Sequence, residues 1–297
     1  MRIILLLTLT FSLLLNGCGN NDSPDSSGKI VAVSSINIIG DIVKNIGGDK
    51  VESISICGVG VDPHTYHSKP EDVRNIAKSD IAFINGFALE HWMEELIDNA
   101  GGERPKVVVT DGITPLTDEK GYGDPDPHAW FDVKNAKIYA QNIANALIEI
   151  DKENEEYYRT NLDNYLKQLD ELDAWIIEQV ETLPKEKRVL ITSHDAFRYF
   201  GKAYGFEVHG LQGLSTEAKV QTEDVTRIID LIKARGLKAV FIETSVNPKL
   251  LEQVSSETGA KVGGTLYSDS IGNEGTEGGS YIGAVKSNVS TIINSLK

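Results

Sequence analysis

Residues 151–182 read DKENEEYYRTNLDNYLKQLDELDAWIIEQVET, and the fold turns on what this stretch is. Tyr158, Leu162, Tyr165, Leu169, Leu172, Ile176 and Val180 recur at steps of three and four, with acidic, basic and amide residues between them and no Gly or Pro before Pro184. That spacing predicts one long helix, a rod of about 45–50 Å at 1.5 Å per residue. Short β-rich runs alternate with helical patterns on both sides of it, so the reading preferred is a spine between two lobes. A core helix of a single α/β domain and the seam of a coiled-coil dimer are the alternatives.

Working outward, the chain from Lys29 alternates strand and helix as parallel α/β units do. Strands are expected near 30–34, 51–57, 81–85 and 106–110 before the spine, and near 188–192, 206–210, 237–243 and 261–266 after it. Helices are expected near 38–46, 70–77, 90–99 and 133–150, then 196–204, 222–235, 248–258 and 281–296. The expected class is α/β, with two (β/α)4-type lobes built on parallel sheets. The boundaries that follow are an N-terminal lobe over 29–150, a linking helix over 151–183 and a C-terminal lobe over 184–297.

Ahead of the lobes, Arg2 is followed by an uncharged apolar run from Ile3 to Leu15. Such a run is a signal-peptide core, too short to cross a bilayer. It ends at Leu15-Asn16-Gly17-Cys18, which resembles the lipobox of bacterial lipoproteins. Residues 1–17 are therefore expected to be a signal peptide, Cys18 the lipidated residue, and 18–28 a flexible, polar tether. The second cysteine, Cys57, sits in an apolar run and is expected to be a small buried residue rather than half of a disulfide. The 297 residues carry 44 acidic and 29 basic side chains, a net charge of -15. That balance argues against nucleic acid, whose phosphates require clustered Lys and Arg.

Ligands of open α/β sheets bind beyond the carboxyl ends of the strands, and four of those places carry metal-type side chains. They are Asp62-Pro63-His64-Thr65-Tyr66-His67, Asp126-Pro127-His128-Ala129-Trp130-Phe131-Asp132, Ser193-His194-Asp195-Ala196-Phe197 and Tyr267-Ser268-Asp269-Ser270. Neutral imidazoles suit borderline transition metals, and a carboxylate adds charge and a hard oxygen. The prolines before His64 and His128 restrict the local backbone and help to hold a ligand in place. His67 is a weaker candidate, His91 reads as a helix-start residue and His209 as a structural strand residue. Asp62, Asp126, Asp132 and Asp195 are expected to form turns and caps or to hold imidazole N–H groups, and Trp130 and Phe131 to pack around the site.

These motifs, together with SHDAFRYFGKAYG over 193–205, GLQGLSTE over 210–217 and YSDSIG over 267–272, resemble the manganese/zinc solute-binding lipoproteins of bacterial ABC importers. The resemblance covers the whole chain after the tether. It implies a rigid backbone helix and one divalent ion, manganese or zinc, held between the lobes by His64, His128, His194 and Asp269. It further implies an extracytoplasmic protein, anchored to the cell membrane by its lipid and expected to be a monomer, which delivers the ion to a permease and its ATPase. In the family the third ligand is Glu in many manganese binders and His in zinc binders and some broader-range members; here it is His194. Many dedicated zinc binders carry a His-rich loop before the second ligand, whereas residues 111–126 contain no His.

Two other classes compete. A secreted zinc-dependent hydrolase would require a catalytic motif, and neither His-Glu-x-x-His nor a nucleophile elbow occurs. A binding protein for a chelated metal would require a wide aromatic and Arg-lined cleft. The chain is therefore expected not to be an enzyme, and the Gly-rich stretch from Ser270 to Ser280 is the expected moving part.

Overall fold

In chain order the elements are β1 (Ile30–Ile36), α1 (Asn37–Gly47), β2 (Val51–Cys57), α2 (Pro70–Lys78), β3 (Ile81–Ile84), α3 (His91–Ala100), β4 (Lys106–Val108) and α4 (Val133–Ile150). The chain then runs through α5 (Glu155–Glu181), β5 (Val189–His194), α6 (Arg198–Tyr204), β6 (Glu207–Gln212), α7 (Thr222–Arg235), β7 (Ala239–Glu243), α8 (Lys249–Thr258), β8 (Lys261–Leu266) and α9 (Tyr281–Leu296). This computed structural model describes residues 28–117 and 125–297. The expected signal peptide, Cys18 and nearly all of the tether lie outside the described residues.

Strands β1 to β4 form one parallel sheet in the order β2-β1-β3-β4, and β5 to β8 form a second in the matching order β6-β5-β7-β8. The inner strands are apolar and covered on both faces, as in parallel sheets generally: β3 is buried throughout, and so is β5. In each sheet the chain returns across its first strand, which leaves a crevice at the carboxyl ends where a ligand can sit.

Helix α5 joins the two. Its 27 residues span about 40 Å, and the buried set is the seven residues of the apolar periodicity, Tyr158 to Val180. It packs against α1 and α4 of the first lobe and α9 of the second. One apolar core therefore runs through both lobes, from Ala32 and Ile39 through Leu169 and Ile176 to Phe241 and Ile292. Smaller cores lie beneath α2 and α3, around Val33 and Met93, and beneath α7 and α8, around Ile191 and Val254.

The helix is shorter than expected at its start. Asp151 accepts from Asn154 Nδ2 (2.8 Å) and from Tyr158 Oη (2.7 Å), and Lys152–Asn154 form a tight 3-10 turn before Glu155. The strand after the spine is longer than expected, with β5 running on to His194 itself and α6 starting at Arg198. Cys57 is buried, unpaired among the described residues and held above its ordinary thiol range by burial.

Candidate metal centre

His64 is set by an Asx turn. The Asp62 carboxylate accepts from the His64 N–H (2.9 Å) and from Thr65 Oγ1 (3.2 Å), while Trp92 Nε1 holds the Pro63 carbonyl (2.8 Å). From the other lobe, Thr216 Oγ1 donates to Asp62 at 2.5 Å. Burial raises the Asp62 carboxyl.

The same turn recurs at the second motif. Asp126 Oδ1 accepts from the His128 N–H (3.0 Å) and lies 2.8 Å from His128 Nδ1. Beneath it is a buried polar network in which Asn85 Nδ2 donates to the Pro127 carbonyl (2.9 Å), Tyr139 Oη donates to Asn85 Oδ1 (2.5 Å), and Glu90 accepts from the Asn85 N–H (2.5 Å). Glu90 also accepts from Gly86 N–H (3.3 Å), and so braces a loop in which Phe87 and Ala88 stand at φ of 53° and 62°. Burial pushes Glu90 up to about 7.

His194 is the last residue of β5, and the last residue of the neighbouring β7 is Glu243. The Glu243 carboxylate accepts from the His194 N–H (2.8 Å), and its other oxygen lies 2.6 Å from His194 Nδ1. Gly210 lets β6 come close here, since a Cβ on it would meet the Asp195 nitrogen at 2.4 Å. The fourth side chain, Asp269, follows β8. Its Oδ2 accepts from Ser245 Oγ (2.8 Å) and Ser268 Oγ (3.2 Å), and its Oδ1 faces the three imidazoles.

The four groups converge. His128 Nε2 stands 3.3 Å from His64 Nε2 and 3.2 Å from His194 Nε2. Asp269 Oδ1 lies 3.4, 3.6 and 3.9 Å from the Nε2 atoms of His128, His194 and His64. A tetrahedron of ligands at metal distances of 2.0–2.1 Å has edges of about 3.3–3.4 Å; the edges from His128 approach these, those from Asp269 to His194 and His64 are wider, and the set is able to close on one ion. Three of these side chains are fully buried and that of His64 is 3 % exposed. Asp269 Oδ1 is buried without a hydrogen-bond donor among the described residues, which costs free energy unless a cation compensates it.

The electrostatics divide the imidazoles. Burial lowers the His64 ring to about 3. It also works against charge on His128 and His194, yet Asp126 and Asp269 carry the first above the ordinary imidazole value, and Glu243 and Asp269 carry the second well above it. Asp269, though fully buried, is held well below the carboxylate range by His194 and His128. Carboxylates facing Nδ1 of His128 and His194 keep the proton there and leave Nε2 free as a donor to a metal.

The remaining sequence candidates lie apart from this cluster. His67 and His91 are exposed, the latter lining a cavity of about 410 Å³ that abuts His64 between residues 87–91 and 212–221. His209 is part-buried against Glu207 at 2.8 Å. Asp132 caps α4 by accepting from the Lys134 N–H (2.9 Å). Trp130 stacks edge-on beside His128 and donates through Nε1 to the Ser268 carbonyl (3.2 Å), while Phe131 packs on Phe197. The sequence reading did not single out Glu243 or Ser245. The available signal was an acid closing an otherwise apolar strand, Ala239–Glu243, at the end where ligands bind.

Two parallel α/β lobes on a helical spine, with four inward-facing ligand groups between them, define a binding protein with a site able to hold a metal ion. The family model described as zinc-uptake complex component A, periplasmic (ZnuA) matches residues 32–295, and the chain belongs to that family. It is 36% identical over 292 residues to the manganese-binding lipoprotein MntA of Halalkalibacterium halodurans, covering 97% of this chain and 96% of the relative. It is also 36% identical over 301 residues to the manganese ABC transporter substrate-binding lipoprotein PsaA of Streptococcus anginosus, covering 98% and 97%. Among solved structures, the periplasmic zinc-binding protein TroA of Treponema pallidum superposes with a TM-score of 0.87 at 37% identity, covering 91% of this chain and 99% of that one.

Proposed function

We propose that this protein captures one manganese or zinc ion outside the cytoplasm and hands it to an ATP-driven permease, with His64, His128, His194 and Asp269 as the ligands. The observation that carries this reading is the convergence of three Nε2 atoms on a buried, undonated carboxylate oxygen. The manganese and zinc named for the relatives, and their designation as ABC transporter components, support the class of cargo and of partner. The same names, with the apolar run before Cys18, support an acylated anchor at Cys18, a signal peptide over 1–17 and a tether over 18–28. The division into lobes at 29–150 and 184–297 about a linker at 151–183 belongs to this reading, as does a monomeric chain.

Four protein ligands make a closed site, whereas a catalytic zinc keeps one position for water, and this favours carriage over hydrolysis. Nitrogen-rich ligands and the Irving–Williams order favour zinc in the isolated protein. Manganese import remains compatible with that preference, because metal availability and the permease also select.

The test is elemental analysis and calorimetric titration of the purified chain beside an assay for hydrolysis. One ion per chain is expected, with zinc bound more tightly than manganese, and Asp269→Ala is expected to abolish stoichiometric binding. Stoichiometric binding by Asp269→Ala, or hydrolytic turnover, would overturn the reading. For the anchor, Cys18→Ser protein that is still acylated and membrane-bound would remove Cys18 from it.

A further inference from the structure

Asp269 sits midway between two amide clamps. Two residues before it, Asn288 of α9 accepts from the Tyr267 N–H (2.8 Å) and donates to the Tyr267 carbonyl (2.7 Å). Two residues after it, Asn37 at the start of α1 accepts from the Ile271 N–H (3.0 Å) and donates to the Ile271 carbonyl (3.1 Å). Asn288 belongs to the same lobe as Asp269, whereas Asn37 belongs to the other. The grip from the first lobe continues along one face of α1, where Asp41 accepts from the Tyr281 N–H (2.9 Å) and Lys44 pairs with Glu274. From the loop after β2, the Gly60 N–H donates to Ser270 Oγ (3.0 Å). Residues 270 and 271, directly following the carboxylate, are therefore both bonded to the opposite lobe.

His64 and His128 are carried by the first lobe. A clamp inside the second lobe, such as Asn288, cannot set where Asp269 stands relative to them. Asn37 can, because it shares a lobe with those two imidazoles and holds the backbone two residues from the carboxylate by both its donor and its acceptor.

We propose that Asn37 is the positioning residue for Asp269, a side chain of one lobe that sets the ligand of the other against the imidazoles, so that release of the ion requires this clamp to open. The proposal rests on the reading of the four side chains as a metal centre. It gives the stretch from Ser270 to Ser280 a definite role, as a strap fastened across the crevice whose unfastening moves a ligand.

The test uses the full chain loaded with cobalt(II), whose visible absorption reports coordination, and follows release to excess EDTA by stopped flow. Asn37→Ala removes two hydrogen bonds and is expected to release cobalt about tenfold faster or more, with an altered cobalt spectrum. Asn37→Asp keeps the acceptor for the Ile271 N–H but not the donor, and is expected to fall between; it carries the comparison if Asn37→Ala does not fold. Asn161→Ala is the control, because Asn161 of α5 donates to the Ile46 carbonyl at the opposite end of α1 from Asn37 (2.9 Å) and makes no bond to residues 267–271 around the carboxylate among the described residues. It should leave release rate and spectrum unchanged while shifting the melting temperature of metal-free protein as much as Asn37→Ala does. Wild-type release and spectrum in the Asn37 variants, or equal acceleration by Asn161→Ala, would overturn the proposal. A wild-type chain that takes up no cobalt would overturn the underlying reading of the site, an outcome distinguishable because no spectrum develops at all.

Discussion

Glu243 and Asp126 act alike from different elements, each placing a carboxylate oxygen against the Nδ1 of an imidazole whose Nε2 points to the centre. This alters what a substitution at His194 will do. Replacing His194 with Glu supplies a harder oxygen suited to manganese, but it sets a second carboxylate where Glu243 now lies 2.6 Å from a ring nitrogen. Like charges in a buried site repel strongly. His194→Glu alone is therefore expected to weaken both ions, and the double variant His194→Glu/Glu243→Gln to recover binding with the ratio moved toward manganese. Competition calorimetry decides, and an unchanged zinc-to-manganese ratio in the double variant would mean that residue 194 does not touch the ion. The raised His128 and His194 must lose their protons to accept an ion, whereas His64, held at about 3, has none to lose at neutral pH. Binding should then release protons from His128 and His194 rather than from His64, and affinity should fall as pH is lowered through their raised values, starting above about 6.5. Metal-free stability takes the opposite sign. Two imidazoles with raised values contribute stability that is present below about 6.5 and is lost as pH rises through their folded values; the lowered His64 opposes them below about 6.5, one group against two. Calorimetry in buffers of differing ionisation enthalpy, with melts of both forms from pH 6 to 8, checks this; binding independent of pH from 7 down to 5 would contradict it.

At the level of elements, α5 is where sequence and structure agree most closely, because an uninterrupted amphipathic period leaves a helix no other way to bury its apolar stripe. Leu169 is fully buried at its middle, so Leu169→Ala is expected to cost about 2–5 kcal/mol, measured by denaturant unfolding of metal-free protein; a loss below about 1 kcal/mol would place Leu169 outside the shared core. The ends of α5 were less legible, since Asp151 spends its carboxylate on Tyr158 and Asn154 rather than opening the helix. The ligand positions could be read because Asp-Pro-His is a local device, a turn whose hydrogen bonds close within three residues. Glu243 was harder to read, because its partner is 49 residues away on the adjacent strand and the one local signal, an acid closing an apolar strand, does not name that partner. The Asn37 clamp was hidden for the same reason, spanning 234 residues. Residues 270–280 suggested mobility by their glycines, yet their hydrogen bonds run across the crevice to α1 and to the loop after β2.

For the whole molecule, a helix packed on both lobes resists the hinge bending that flexible crossovers permit. Solution scattering of loaded and metal-free protein should therefore give nearly the same radius of gyration, with change confined to loops; a large contraction on loading would refute the spine. That single apolar core also governs how the chain comes apart. Lobes with separate cores can melt in two stages, but here the helices that cover the two sheets, α1 and α4 on one and α9 on the other, share a single apolar core with α5 and lose it together once α5 leaves. Heating metal-free protein should yield one calorimetric peak whose enthalpy matches the van't Hoff value, and either half expressed without α5 should fail to fold, leaving the two lobes inseparable as heritable units.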